Sequence, residues 1–324
     1  MLDVVCFGEI LWDVFEAQAR GREPIARTFR RELGGAPANV ATGLARLGVR
    51  AAIVGGVGRD RFGDALRAHL EADGVDSRFV IPLPSRTGLA FVVRDGRGEP
   101  SFIFYRHESA DLAIRARHIT PAMGRARWAL VGTSTLMTRD LAGATARFLE
   151  VAEKAGAAIV VDLNVRAHLW SGRAAMLRAI VPLVGRAALV KASDADLDAL
   201  AGRTNGLRWL ERFAPGATWL VTRGAGRASA IGSHGQVHAP AARTRCVDAT
   251  GAGDAFIAGA LATLVAARAM PGSAAWSEAK VWTAALRVGH MMGKKAVSAP
   301  GAVRGLTRLG RPRSVIEAVR RSFA

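Results

Sequence analysis

Residues 248 to 256 read Asp-Ala-Thr-Gly-Ala-Gly-Asp-Ala-Phe, a glycine turn with an acid on each side that opens onto an apolar stretch. Ile257, Leu261, Leu264 and Val265 recur at helical spacing, which predicts a helix whose first turn holds Gly251, Ala252 and Gly253. Backbone N–H groups of a first turn lack intrahelical partners, and the helix dipole is positive there. With no side chains at Gly251 and Gly253, a phosphate can approach that backbone. The pattern predicts a phosphoryl-transfer site in which Asp254 faces the transferred group. The helix N-terminus is expected to hold Asp254 ionised, as a weak base that accepts a hydroxyl proton late in the transfer. An ordinary strand-to-helix turn with a first-turn acid would read the same if it stood alone.

It does not stand alone. Leu33 to Ala41 reads Leu-Gly-Gly-Ala-Pro-Ala-Asn-Val-Ala, and Val54 to Gly63 reads Val-Gly-Gly-Val-Gly-Arg-Asp-Arg-Phe-Gly. Together with the glycine turn, these stretches resemble the N- and C-terminal signatures of the ribokinase-like, phosphofructokinase-B-type carbohydrate kinases, in that family's order. The resemblance implies a doubly wound α/β fold, ATP as phosphoryl donor, Mg²⁺ as cofactor and a sugar hydroxymethyl group as acceptor. Phe104 to Asp111 and the Gly34 to Asn39 stretch look most like bacterial fructokinases. 2-Keto-3-deoxygluconate, ribose and nucleosides remain competing acceptors, and a catalytically silent sugar- or nucleic-acid-binding member is the non-enzyme alternative.

The same resemblance assigns roles to residues. Asp13 and Asn39 would hold sugar hydroxyls through two-point hydrogen bonds, with Gly34 and Gly35 as a lid hinge. Arg106 would contact the sugar or its phosphate. Asn164 and Arg166, just beyond the Asp162 strand end, would lie near the phosphates and a metal-bound water. Lys191, Ser193 and Asp196 stand where relatives carry an NxxE motif that organises magnesium. Here the motif reads SxxD, and Asp196 is one methylene shorter than the usual Glu, so contact through a metal-bound water is the expectation. Thr222, Gly224 and Gly226 would border the nucleotide, and His290 would face the adenine or solvent. Asp248 and the Thr250 carbonyl match positions that bind K⁺ in some relatives.

These residues need rigid elements to hold them. Apolar runs at 4–7, 51–54, 129–131, 158–162, 187–191 and 219–222 read as buried parallel strands. Helical patterns at 36–47, 61–70, 140–155, 174–184 and 194–200 separate them, and a C-terminal helix is expected over 276–295. Such alternation predicts a mostly parallel, doubly wound sheet with ligands beyond the carboxyl ends of its strands. Two interruptions, about 14–33 and 86–111, sit on that edge. The second reads as a hairpin turning at 94–98, and together they predict a small β lid inserted in one kinase domain spanning 1–324. A homodimer paired through the lid is a further expectation.

Composition narrows the alternatives. The chain has 324 residues, half of them hydrophobic, and can bury a large core. No apolar run is long enough to span a membrane and no basic leader precedes the first strand, so a cytoplasmic enzyme is expected. Cys6 and Cys246 are too few for a disulfide framework or zinc site and read as packed thiols. The formal charge is +18, yet 40 of the 45 basic residues are arginines scattered along the chain. That spread predicts attraction of anionic ATP and no specific nucleic-acid site. The basic tail from Arg304 to Arg321 reads as a solvated surface helix.

Overall fold

The computed structural model describes residues 1–16, 28–94, 100–202, 205–241 and 243–308. β1 (Leu2–Phe7) founds the main sheet. Its side chains alternate between two core layers: Val4 and Cys6 enter one, Val5 and Phe7 the other. Because helices cover both faces, the strand is apolar without interruption from Val4 to Phe7. Then come β2 (Leu11–Glu16), β3 (Phe29–Gly34), α1 (Ala36–Arg46), β4 (Ala51–Gly58), α2 (Arg61–Ala72) and β5 (Val80–Leu83). β6 (Leu89–Arg94) and β7 (Pro100–Tyr105) precede β8 (Ala126–Gly132), α3 (Arg139–Lys154), β9 (Ala158–Asp162) and α4 (Arg173–Val184). β10 (Leu189–Ser193), α5 (Asp194–Ala201), α6 (Gly206–Phe213) and β11 (Thr218–Thr222) follow. β12 (Arg227–Gly232), β13 (Gly235–Pro240), α7 (Ala252–Ala266) and α8 (Ala279–Ala296) complete the described elements.

The large sheet runs β13-β12-β11-β10-β9-β8-β1-β4-β5. Its strands pair in parallel from β11 to β5, and the β12–β13 hairpin adds an antiparallel edge. The chain builds outward from β1 in both directions, which makes a topological switch point there and opens a crevice at the carboxyl edge. α7 packs against α1 and α8 and is buried almost all round, so it lacks the polar stripe of a surface helix. A side chain at Gly259 would come within 2.8 Å of the Val288 carbonyl, so a glycine there lets α7 and α8 lie close.

The second sheet, ordered β3-β2-β6-β7, matches the lid expected from the two interruptions. The interruption at 14–33 proves to be largely strand at its ends, because β2 begins directly after β1 and β3 returns antiparallel to it. Residues 95–98 of the expected hairpin turn and the tail beyond 308 lie outside the described residues. Asp60 fixes the start of β6 to the main body: its carboxylate caps α2 by accepting from Gly63 N at 2.8 Å and also accepts from Thr87 N and Oγ1 at 2.9 and 2.7 Å.

Three expectations need correction. The expected helix at 276–295 is split: a short 3₁₀ turn, Ala274–Ser277, is capped by Ser273, and α8 begins only at Ala279. Cys246 is exposed, because the segment before α7 runs over the surface rather than through the core; Cys6 is buried as expected. Gly251 stands outside the first helical turn as the cap of α7, with φ of 74°. An L side chain there would be strained and would collide with Ala302. Among the described residues no helix is long and apolar enough to cross a membrane.

Candidate active site

The site gathers at the carboxyl edge, where β1, β9 and β10 end, and α7 and α1 close it. Asp254 lies in the first turn of α7, and its Oδ2 accepts from Asn39 Nδ2 at 2.8 Å. Both residues are buried, and Asn39 Oδ1 is buried without a protein partner among the described residues. A buried amide oxygen with no donor is costly unless a ligand supplies one, and a hydroxyl group can.

Burial decides the protonation of Asp254. It pushes the carboxyl up to about 6, with the nearby Asp162 charge adding to the rise. The Asn39 hydrogen bond and the Lys191 and Arg166 charges pull the other way and do not cancel it. The expected ionised state at neutral pH stands, but the expected weakness as a base is revised, because burial raises the carboxyl well above its ordinary value of 3.8. Asp254 is a stronger base than its helix position alone suggests, and it is largely ionised at neutral pH.

Asp13 lies on β2, facing the same space, and is buried. Burial raises its carboxyl to about 8, helped by the charges of Asp254, Asp248 and Glu9 and opposed by Arg106. At neutral pH it can therefore donate as well as accept. Gly34 leaves room for it: a Cβ at that position would lie 2.5 to 2.7 Å from the Asp13 carboxyl atoms. At Gly35, φ is 96° and a side chain would strike the Glu9 carbonyl, so this lid junction needs glycine.

Arg106 is buried at the end of β7 and its guanidinium is committed to Asp111, with Nε and Nη2 donating to Oδ2 at 2.8 and 2.5 Å. Ser109 Oγ donates to the other oxygen of Asp111 at 2.5 Å. The Arg106 charge still reaches Glu9 and Asp13 electrostatically. Breaking such a buried pair from one side typically costs about 3–5 kcal/mol.

Beyond β9, Asn164 adopts φ of 35°, a left-handed conformation that Asn tolerates better than most residues. The loop is held from the α5 side, where Asp196 Oδ1 accepts from Val165 N at 2.6 Å. Asp196 Oδ2 accepts from Ser193 N and Ser193 Oγ, both at 2.7 Å, closing a capping box on α5. With three donors already on this carboxylate, about one acceptor position is left, enough for a single metal-bound water. Arg166 is close enough to act on the charges of both Asp162 and Asp254.

Lys191 and Asp162 face each other across β10 and β9, with Nζ 3.0 Å from Oδ1 and both side chains buried. The Lys191 ammonium also lies beneath α7, 2.8 Å from where a Cβ on Gly253 would be. Burial alone would lower Lys191, but the carboxylates of Asp162, Asp196 and Asp254 outweigh it and keep the amine charged. Asp162 was not among the expected site residues. Its signal was an acid closing an otherwise apolar strand.

Asp248 shapes the turn before α7: Oδ1 accepts from Thr250 N and Oγ1 at 2.9 and 2.7 Å, and Oδ2 accepts from Gly301 N at 2.9 Å. Thr222 ends β11, and Gly224 and Gly226 form the tight turn into β12. His290 lies on α8 with Nε2 3.0 Å from the Ala239 carbonyl and its ring edge-on to Phe256. That contact places His290 beside the β13 end of the sheet. A small sheet beside the strand ends, a glycine-capped helix N-terminus and a buried acid paired with an amide fit a small-molecule phosphotransferase.

The pfkB family carbohydrate kinase model matches residues 1–308, and the chain belongs to that family. Fructokinase-1 of Zea mays is 36% identical over 273 residues, covering 81% of this chain and 83% of the relative. The structure of fructokinase from Xylella fastidiosa with bound ATP superposes with a TM-score of 0.86 at 31% identity, covering 98% of each chain. A fructokinase double mutant from Vibrio cholerae O395, bound to fructose, ADP and potassium ion, superposes at 0.83 with 26% identity, covering 97% of this chain and 98% of that one.

Proposed function

We propose that this carbohydrate kinase is a fructokinase that transfers the γ-phosphate of ATP to a hydroxymethyl group of fructose. The observation that carries this reading is the buried Asn39–Asp254 pair at the mouth of the α7 anion hole. Asn39 Oδ1 and Asp13 take sugar hydroxyls, and Asp254 Oδ1 is left to accept the proton of the attacking one. The Gly251 to Gly253 backbone and Lys191 stabilise the phosphoryl oxygens as charge develops on them. Similarity to fructokinases from a plant and from bacteria favours fructose over the other acceptors.

Mg²⁺ carried with the nucleotide would neutralise phosphate charge, and Asn164 and Asp196 fit contact with its waters. Thr222, Gly224, Gly226 and His290 border the region proposed for the nucleotide, and Arg166 the region between the phosphates and the sugar. We assign K⁺ to Asp248 and the Thr250 carbonyl, where it would stiffen the turn that presents the anion hole. Replacing K⁺ with a bulky organic cation should slow the enzyme; equal rates would remove this role.

The outer face of the lid exposes Phe29, Ile103 and Tyr105, and Phe91 meets Phe29 and Tyr105 edge-on. A second copy paired lid to lid is the partner we assign to it, and a monomer by sedimentation would refute that. The scattered arginines give no means of reading bases, so nucleic acid is not a partner in this account, and the substrates place the enzyme in the cytoplasm. The decisive assay is ADP release with fructose, ribose, 2-keto-3-deoxygluconate and adenosine. The highest kcat/KM should fall on fructose; a clear preference for another acceptor overturns the assignment within the family.

A further inference from the structure

We propose that Asp162 is a positioning residue for phosphoryl transfer: it anchors the Lys191 ammonium beneath the first turn of α7, beside Gly253 and the base Asp254. The inference rests on Asp254 being the base, and it adds a residue that never touches substrate.

The geometry carries it. Asp162 closes β9 and Lys191 lies directly across from it on β10, so strand register alone aims both side chains at α7. Their charged atoms are 3.0 Å apart in a buried setting. The space that brings Nζ so near the α7 backbone exists only because residue 253 has no side chain. A buried ammonium under a helix N-terminus is doubly unfavourable, through lost hydration and through the positive end of the dipole. It stays charged there only with carboxylates close by: Asp162 is the one in direct ion-pair contact, at 3.0 Å, and Asp196 and Asp254 add to its effect.

The arrangement acts in two ways. The anchored charge adds to the field of the N–H groups where phosphoryl oxygens gather. It also surrounds Asp254 with opposed charges. Facing that acid are Asn39 of α1, Asp13 of β2, Asp162 of β9, Arg166 beyond β9 and Lys191 of β10. Asp162 and Lys191 push its protonation in opposite directions.

The test compares Asp162→Asn, Lys191→Met and the double variant with wild type, using kcat and both KM values from pH 5 to 9. In Asp162→Asn the acid limb of kcat should move down, and in Lys191→Met up, each by about one pH unit. A role confined to packing would move neither limb, or both the same way, and either result overturns the proposal. Should Asp162→Asn fail to fold with its unpaired ammonium, the charge-neutral double variant decides. It should fold, bind fructose with a KM within about threefold of wild type, and show a plateau kcat at least ~10-fold below wild type and equal to that of Lys191→Met, because without the ammonium Asp162 has nothing left to position. A further large loss below Lys191→Met contradicts the proposal. Wild-type kcat in a folded double variant contradicts the proposal. Asp254→Asn measured alongside separates the two claims: if it is inactive while the double variant is unimpaired, only the Asp162 inference fails.

Discussion

Asn39 and Asp254, 215 positions apart in the chain, share a buried 2.8 Å hydrogen bond from Nδ2 to Oδ2. It joins α1, which follows the small sheet, to the N-terminal turn of α7, so the proposed sugar side and the proposed phosphate side of the site meet in one contact. The bond favours the ionised acid. Asn39→Ala should therefore raise the acid limb of kcat by about one pH unit and also raise the KM for fructose. An unmoved limb would show that the bond does not set the protonation of Asp254.

The raised carboxyls of Asp13 and Asp254 have a cost in stability. A carboxyl whose folded value lies above its ordinary 3.8 stabilises the fold while protonated, and that contribution is lost as pH rises through the folded value. For Asp254 the loss falls between about pH 4 and 6 and amounts to roughly 3 kcal/mol; for Asp13 it continues to about pH 8. Asp13→Asn should thus raise Tm relative to wild type at pH 9 more than at pH 5. A pH-independent difference between the two proteins would argue that Asp13 titrates normally.

Gly34 tests the lid junction. Its missing Cβ accommodates the Asp13 carboxyl, so Gly34→Ala must displace that group. Displacing a substrate-orienting group by about 1 Å can cost up to ~100-fold. The KM for fructose should rise at least ~10-fold while the KM for ATP stays near wild type. Equal changes in both would mean that the substitution disturbs the whole site.

Much of this was legible in the sequence where one local rule governs. The β9 expectation matched its observed bounds, and the starts of α1, α2 and α5 were each found, because apolar runs, Asp60 and Ser193 mark them. β2 and β3 were harder to see. They carry charged residues on a half-exposed sheet, and their pairing depends on partners far along the chain. The site residues came from motifs, but their states did not. Spacing shows that Asp254 lies in a helix first turn, whereas only packing shows that burial raises its carboxyl there. The Asp162–Lys191 pair was hidden for the same reason: each residue ends or crosses an apolar strand, and only sheet register sets them face to face.

Asp254 is the group proposed to take the sugar proton, and kcat of purified Asp254→Asn at saturating ATP and fructose tests that role most directly. Asn preserves the size and one acceptor oxygen, so fructose binding should largely survive. Turnover should fall about 10²-fold or more, and Tm should hold or rise at pH 8. A folded variant with near wild-type kcat would contradict the account and leave the α7 turn as an anion hole alone.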